Sequence, residues 1–234
     1  MMLSAEEWEI VLLSLRVGGA AMAATLPLAF MLAWLLARAR FPGKLLLDAI
    51  VHLPLVLPPV VTGWLLLLAF APAGPLGRAV EAWFGASVLF SWTGAAIAAG
   101  VMALPLMVRA MRLSIEAVDR RLEEAASTLG AGRVRVFASI TLPLSLPGIL
   151  AGSVLGFARA LGEFGATITF VSNVPGQTRT LPIAIYSALQ LPDGEAMVVR
   201  LAAISVALSI AALIASEWIA RSAGRGTGSR VHAL

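Results

Sequence analysis

Long apolar runs alternate with short polar stretches along this chain, and the apolar runs have membrane length. A helix crossing about 30 Å of hydrocarbon needs roughly 20 residues. Five runs qualify: 11–37, 47–70, 88–108, 144–164 and 201–219. The first holds only Arg16, near its start, and follows Glu6, Glu7 and Glu9 with no Lys or Arg before them. A cleaved secretory leader begins with positive charge, so this run is expected to be a retained helix. The second holds Pro54, Pro58, Pro59 and Gly63. Each proline removes a backbone donor and bends or breaks a helix, and neighbours must satisfy the freed carbonyls. The run is therefore either a static kink or a broken helix of the kind that borders a moving pathway. The expected fold is all-α and integral to the membrane, with about five transmembrane helices in one domain, 1–221.

Charge placement orients these spans. Twelve of the 17 basic residues fall in one set of polar segments: Arg38, Arg40 and Lys44; Arg109, Arg112, Arg120, Arg121, Arg133 and Arg135; Arg221, Arg225 and Arg230. The opposite set has Arg16, Arg78, Arg179 and Arg200, with Arg159 inside the fourth run. Lys and Arg accumulate on the cytoplasmic side. The N-terminus is thus expected outside, the C-terminus inside, and the loop 109–141 in the cytoplasm. On the outer side, 77–87 carries Trp83 and Phe84, which suit a membrane interface. The segment 171–195 contains an apolar piece, 183–189, too short to span and readable as a short helix or a re-entrant segment. The tail 222–234, rich in Gly and Ser, reads as flexible.

Composition narrows the chemistry. Residues are 59% hydrophobic and 13% charged, about half the charged share of a soluble domain, and mean hydropathy is +0.92. There is no cysteine, which removes disulfides and thiolate chemistry. His52 and His232 do not make a metal site by themselves. The net charge of +4 flanks spans and points to lipid, with no nucleic acid. No GxxxxGK[ST] phosphate loop, HExxH or paired-carboxylate arrangement occurs, so no enzyme activity, cofactor or metal is expected and the chain does not hydrolyse nucleotide on its own.

The loop carries more structure than a tether needs. Within 114–130, Val118, Leu122, Ala125/Ala126 and Leu129 recur at helical spacing, while Asp119, Arg120, Arg121 and Glu123 fill the other faces, as in an amphipathic helix. Gly130 fits the left-handed position after a helix end. A second short helix is expected over 132–140, stopped at Leu142-Pro143. Two short helices joined at a glycine make a rigid knuckle, with Ala125-Ala126 as a close-approach face and Glu124 offering its charge to a partner. The alternative is an amphipathic helix lying on lipid. Elsewhere, Arg159 and Glu163 share a helix face at i, i+4. They are either a mutual brace near the outer surface or, through Arg159, a contribution to an anion path. Asp48 and His52, also i, i+4, read as an interfacial pair at the cytoplasmic end.

Glu124, Ala125, Ala126, Gly130, Ile140, Leu142 and Pro143 form the pattern Glu-Ala-Ala-x3-Gly-x9-Ile-x-Leu-Pro. It resembles the signature loop of permease subunits in bacterial ABC importers. The resemblance implies the type I importer permease fold and a loop that acts as a coupling helix in a groove of an ATP-binding subunit. It also implies an assembly of two permease copies, two ATP-binding subunits and an external substrate-binding protein. Leu-Gly-Glu-Phe-Gly at 161–165, the following Ala-Thr-Ile-Thr-Phe-Val-Ser-Asn, and Gly-Gln-Thr-Arg-Thr-Leu-Pro at 176–182 resemble the oxyanion branch, and within it the molybdate permeases. The stretches 38–44 and 53–63 agree, and the resemblance extends over about 8–220. Molybdate import across the cytoplasmic membrane is the implied function. The alternatives are a sulfate/thiosulfate or tungstate permease and, from other classes, an ion-gradient transporter with Glu163 as its coupling group or a non-transporting anchor.

Overall fold

The computed structural model describes residues 3–231; the side chains of Phe84 and of 220–231 lie outside that description. Ser4 starts α1 (Ala5–Arg38) with a capping box, its Oγ accepting from Glu7 N at 3.2 Å while Glu7 Oε2 accepts from Ser4 N at 2.8 Å. These bonds satisfy two of the helix-end donors. Three further long helices follow: α5 (Trp92–Glu116), α8 (Leu142–Leu161) and α11 (Glu195–Val231). In sequence between them lie α2 (Lys44–Val56), α3 (Pro59–Phe70), α4 (Pro75–Phe84), α6 (Arg120–Thr128), α7 (Arg133–Val136), α9 (Gly165–Val171) and α10 (Leu181–Ala188). Among the described residues there is no strand.

The bundle forms a chain of neighbours, α1 on α5, α5 on α8 and α8 on α11. Small side chains set these contacts. Ala21, Ala29 and Ala33 of α1 and Ala95, Ala98, Ala99 and Ala103 of α5 are all buried. On α8, Gly148, Gly152 and Gly156 lie one above another and face Ser114, Ala110 and Met107 of α5, where an added Cβ would crowd each neighbour. In lipid, where apolar burial adds little, such close backbone approach supplies the packing attraction.

The second apolar run is not one helix. It breaks at Leu57–Pro58 into α2 and α3, with a bend of 114°. Leu57 is extended, at φ −68° and ψ 141°, because a residue preceding proline is pushed out of the α region; Pro58 and Pro59 then supply no amide donors. The two halves still pass from one end of the bundle to the other. At the end where α1 stops, Leu47 and Val51 pack with Leu36, Ala37 and Ile115. At the end where α1 starts, Leu66, Leu67 and Phe70 pack with Leu13, Val17 and Phe170. Among the described residues four helices are long and apolar enough to cross a membrane, and the bent pair makes a fifth crossing if its two halves count as one span.

Other boundaries shift from the hydropathy reading. α5 extends past 108 to Glu116, and α8 ends at Leu161, so Glu163 sits in the turn after it. The segment 183–189 is realised as the short helix α10, with Leu181, Ile183, Ala184 and Ala188 buried. Over 222–231, expected to be flexible, the backbone continues as helix to Val231, with no proline after Pro192 to stop it, although Gly224, Gly226 and Gly228 each disfavour the helix by about 1 kcal/mol. The rest of that tail, 232–234, lies outside the described part.

Candidate functional site

The polar loop between α5 and α8 is built from two turns and two short helices. The amphipathic helix expected over 114–130 is interrupted: α5 keeps Ser114 and ends at Glu116, and Asp119 caps a new helix, α6, by accepting from Arg121 N at 2.9 Å. Asp at an N-cap competes with continuation of the preceding helix. Gly130 takes φ +88°, with Gly130 N donating to Ser127 O and Ala131 N to Ala126 O, both at 3.0 Å. This paired bonding satisfies the last carbonyls of α6 and requires a residue free to be left-handed. Pro143 does not stop the second helix. A π turn, Phe137–Thr141, follows α7, with Leu142 N donating to Phe137 O, and runs directly into α8. The widened turn moves backbone carbonyls away from the Pro143 ring, so the continuous helix Arg133–Leu161 accommodates a proline in its interior.

No residue of α6 is buried. Glu124 and Ala125 are exposed, as are Gly130 and Pro143; Ala126, Ile140 and Leu142 are half-buried. Leu122, Leu129 and Val134 expose 49%, 89% and 81% of their surface. Of the apolar positions expected to share one face, only Val118 turns inward, at 6%. The result is an outward surface of large apolar side chains around a carboxylate, Glu124, that has no partner among the described residues.

Contacts between distant parts of the chain hold this surface and the helix ends behind it in place. Glu123 Oε1 accepts from Arg38 Nη2 at 2.9 Å and from Thr141 Oγ1 at 2.5 Å, and the same Arg38 nitrogen donates to Ile115 O at 3.2 Å. The Phe137 ring meets Trp34 edge-on, centroids 4.8 Å apart at 83°. Arg112 joins Glu116 at 2.8 Å and Asp48 at 3.1 Å, tying α2 to α5. The expected Asp48–His52 pair is present, at 3.2 Å, and Arg112 completes it from 64 residues away.

At the opposite end, Arg159 Nη1 lies 2.7 Å from Glu163 Oε2, and Glu163 Oε1 accepts from Ala166 N at 2.8 Å, capping α9. Glu163 is 3% exposed. Both of its oxygens therefore serve the turn between α8 and α9. Beside it lies an apolar cavity of about 340 Å³ bordered by Leu161, Phe164, Tyr186 and Leu208. Among the described residues no three His, Asp or Glu side chains converge as metal ligands.

A family model described as "Binding-protein-dependent transport system inner membrane component" matches residues 25–225. The molybdenum transport system permease protein ModB of Escherichia coli (strain K12) is 58% identical over 221 residues, covering 94% of this chain and 96% of that protein. The protein of the same name from Haemophilus influenzae is 56% identical over 209 residues, covering 89% and 91%. A solved bacterial ABC transporter involved in the import of the acidic polysaccharide alginate superposes with a TM-score of 0.70 at 18% identity, covering 95% of this chain and 80% of its own. At that identity the likeness speaks for the fold.

Proposed function

The chain belongs to the family of binding-protein-dependent transport system inner membrane components, and from that premise we propose that it is the membrane subunit of an ATP-driven molybdate importer. The observation that carries the substrate is the 58% identity, over nearly all of both chains, to a molybdenum transport permease. A dianion needs a cluster of dehydrated donors for tight recognition. The residues bordering the cavity beside Glu163 are almost all apolar, so selection falls to an external molybdate-binding protein, and two permease copies provide a gated path between them. The loop faces the cytoplasm, with the N-terminus outside and the C-terminus inside, and each copy presents α6 to one of two ATP-binding subunits. ATP then drives transport by favouring one state of the assembly over the other.

Support for the docking role comes from α6 itself. A helix with no buried residue, large exposed apolar side chains and a Glu124 without a partner among the described residues gains little from its own fold and offers much to a groove. The test uses permease, ATP-binding subunits and binding protein together in proteoliposomes. Molybdate-loaded binding protein is expected to stimulate ATP hydrolysis and uptake, and sulfate-loaded protein to do so far less. Glu124→Lys reverses the charge offered to the groove. Gly130→Val forces a β-branched residue to φ +88°, a conformation such residues strongly avoid. Either change is expected to release the ATP-binding subunits or to separate hydrolysis from uptake. Normal molybdate uptake by either variant overturns the docking role, and equal stimulation by sulfate overturns the substrate.

A further inference from the structure

Adjacent residues on α6 do opposite things. Glu124 points away from the bundle, while Glu123, one step of about 100° around the helix, points into it. Glu123 Oε1 accepts from two other parts of the fold, and through one of them reaches a third. Arg38, the last residue of α1, donates to it; Thr141, the last residue of the π turn before α8 and 1% exposed, donates to it; and Arg38 also holds the Ile115 carbonyl of α5. The two charged side chains are 13% and 20% exposed. α6 is flanked by turns at Ala117–Val118 and at Gly130–Gly132 and buries nothing of its own. A force applied to its outer face would turn it in place unless something fastened it to the helices behind.

We infer that Arg38 and Glu123 are positioning residues that form the strut through which displacement of α6 reaches α1 and α5. The inference rests on the docking role proposed for this loop. The ion pair uses a single Arg38 nitrogen, and Arg38 Nε is buried without a partner. The guanidinium thus keeps a second seat for the carboxylate as α6 shifts, so the link holds while its geometry changes. An exposed ion pair would contribute little. This one is shielded on both sides and joins elements 85 residues apart.

The test compares Arg38→Gln, Glu123→Gln and the double variant in the assembled complex. Glutamine at 123 keeps the size of glutamate and can still accept from Thr141, glutamine at 38 removes the guanidinium and its bond to Ile115, and either change removes the charge pair. In both single variants the ATP-binding subunits are expected to copurify normally. ATP hydrolysis is expected to stay within about twofold, and ATP consumed per molybdate taken up to rise about fivefold or more, the scale of an ordinary coupling energy. Since either substitution breaks the same link, the double variant is expected to match the singles rather than multiply them. An unchanged ratio, multiplied losses in the double, or loss of the ATP-binding subunits in the singles overturns the strut.

Amide exchange of α6 in the isolated permease supplies a second arm that needs neither nucleotide nor anion. It should quicken to the same extent in all three variants, and unchanged exchange also overturns the proposal. If Glu124→Lys leaves copurification and uptake intact, the docking role fails by itself, and the exchange arm still decides the strut.

Discussion

Gly148→Ala is the sharpest test of how the bundle is held. The added Cβ would overlap Ser114 Cβ and Oγ across the α8–α5 crossing. Neither of these atoms can move aside by rotating a long side chain, so the helices must part. Overpacking of this kind costs about 1–3 kcal/mol. Parting them also strains the bond from Ser114 Oγ to Ser145 O, now 3.1 Å, which contributes about 0.5–1.5 kcal/mol more. Against this, alanine regains up to about 1 kcal/mol of helix propensity over glycine. The net expectation is a loss of about 1–3 kcal/mol, or roughly 3–10 °C in unfolding midpoint for a chain of this length.

The assay is thermal unfolding of purified permease in detergent, with two comparisons. Gly19→Ala, on α1 where nothing lies within 4 Å of the new Cβ, should leave the midpoint unchanged or raised. Ser114→Gly combined with Gly148→Ala exchanges the small residue across the crossing and should recover part of the loss, since the obstructing Cβ is gone. A midpoint for Gly148→Ala equal to that of Gly19→Ala refutes the packing argument, as does a double variant less stable than Gly148→Ala alone.

Two further outcomes are expected. Arg200→Ala leaves Glu7, 1% exposed and 2.7 Å from that half-buried guanidinium, with only its bond to Ser4, and should cost about 1–3 kcal/mol as a carboxylate losing a charged partner near the helix end. Arg200→Ala with Glu7→Gln should restore much of it in the same melt, and a single variant as stable as the parent removes the pair from the fold's account. If Arg159 contributes positive potential to the anion path, Arg159→Gln should lower molybdate uptake about tenfold, a change of about 1.4 kcal/mol, in complexes that assemble normally. Unchanged uptake kinetics leave Arg159 as a brace for Glu163 and the α9 turn.

The residues most legible in the sequence were those whose role is local. Gly130 was readable as a helix end because the left-handed position is a property of a single residue, and it is found at φ +88°. Five apolar runs were readable as spans because their length must match a fixed thickness of hydrocarbon. The Leu57–Pro58 break was visible as a cluster of prolines, but its size, 114°, was not, because the angle depends on what α2 and α3 pack against. The extent of α6 was misjudged for a related reason. Apolar spacing continued through Val118 and Leu122, yet the Asp119 cap divided them between an inward turn and an outward helix.

What sequence alone determined, then, was the order of spans, the asymmetry of charge, the pattern of the loop from Glu124 to Pro143 and the absence of a phosphate loop. Tertiary structure alone decided which carboxylate serves which purpose. Glu123 and Glu124 are chemically alike and adjacent, and no periodicity separates them. One meets Arg38, 85 residues earlier, and the other meets nothing among the described residues, because helix rotation fixes their directions about 100° apart and only the packed bundle supplies a partner on one side.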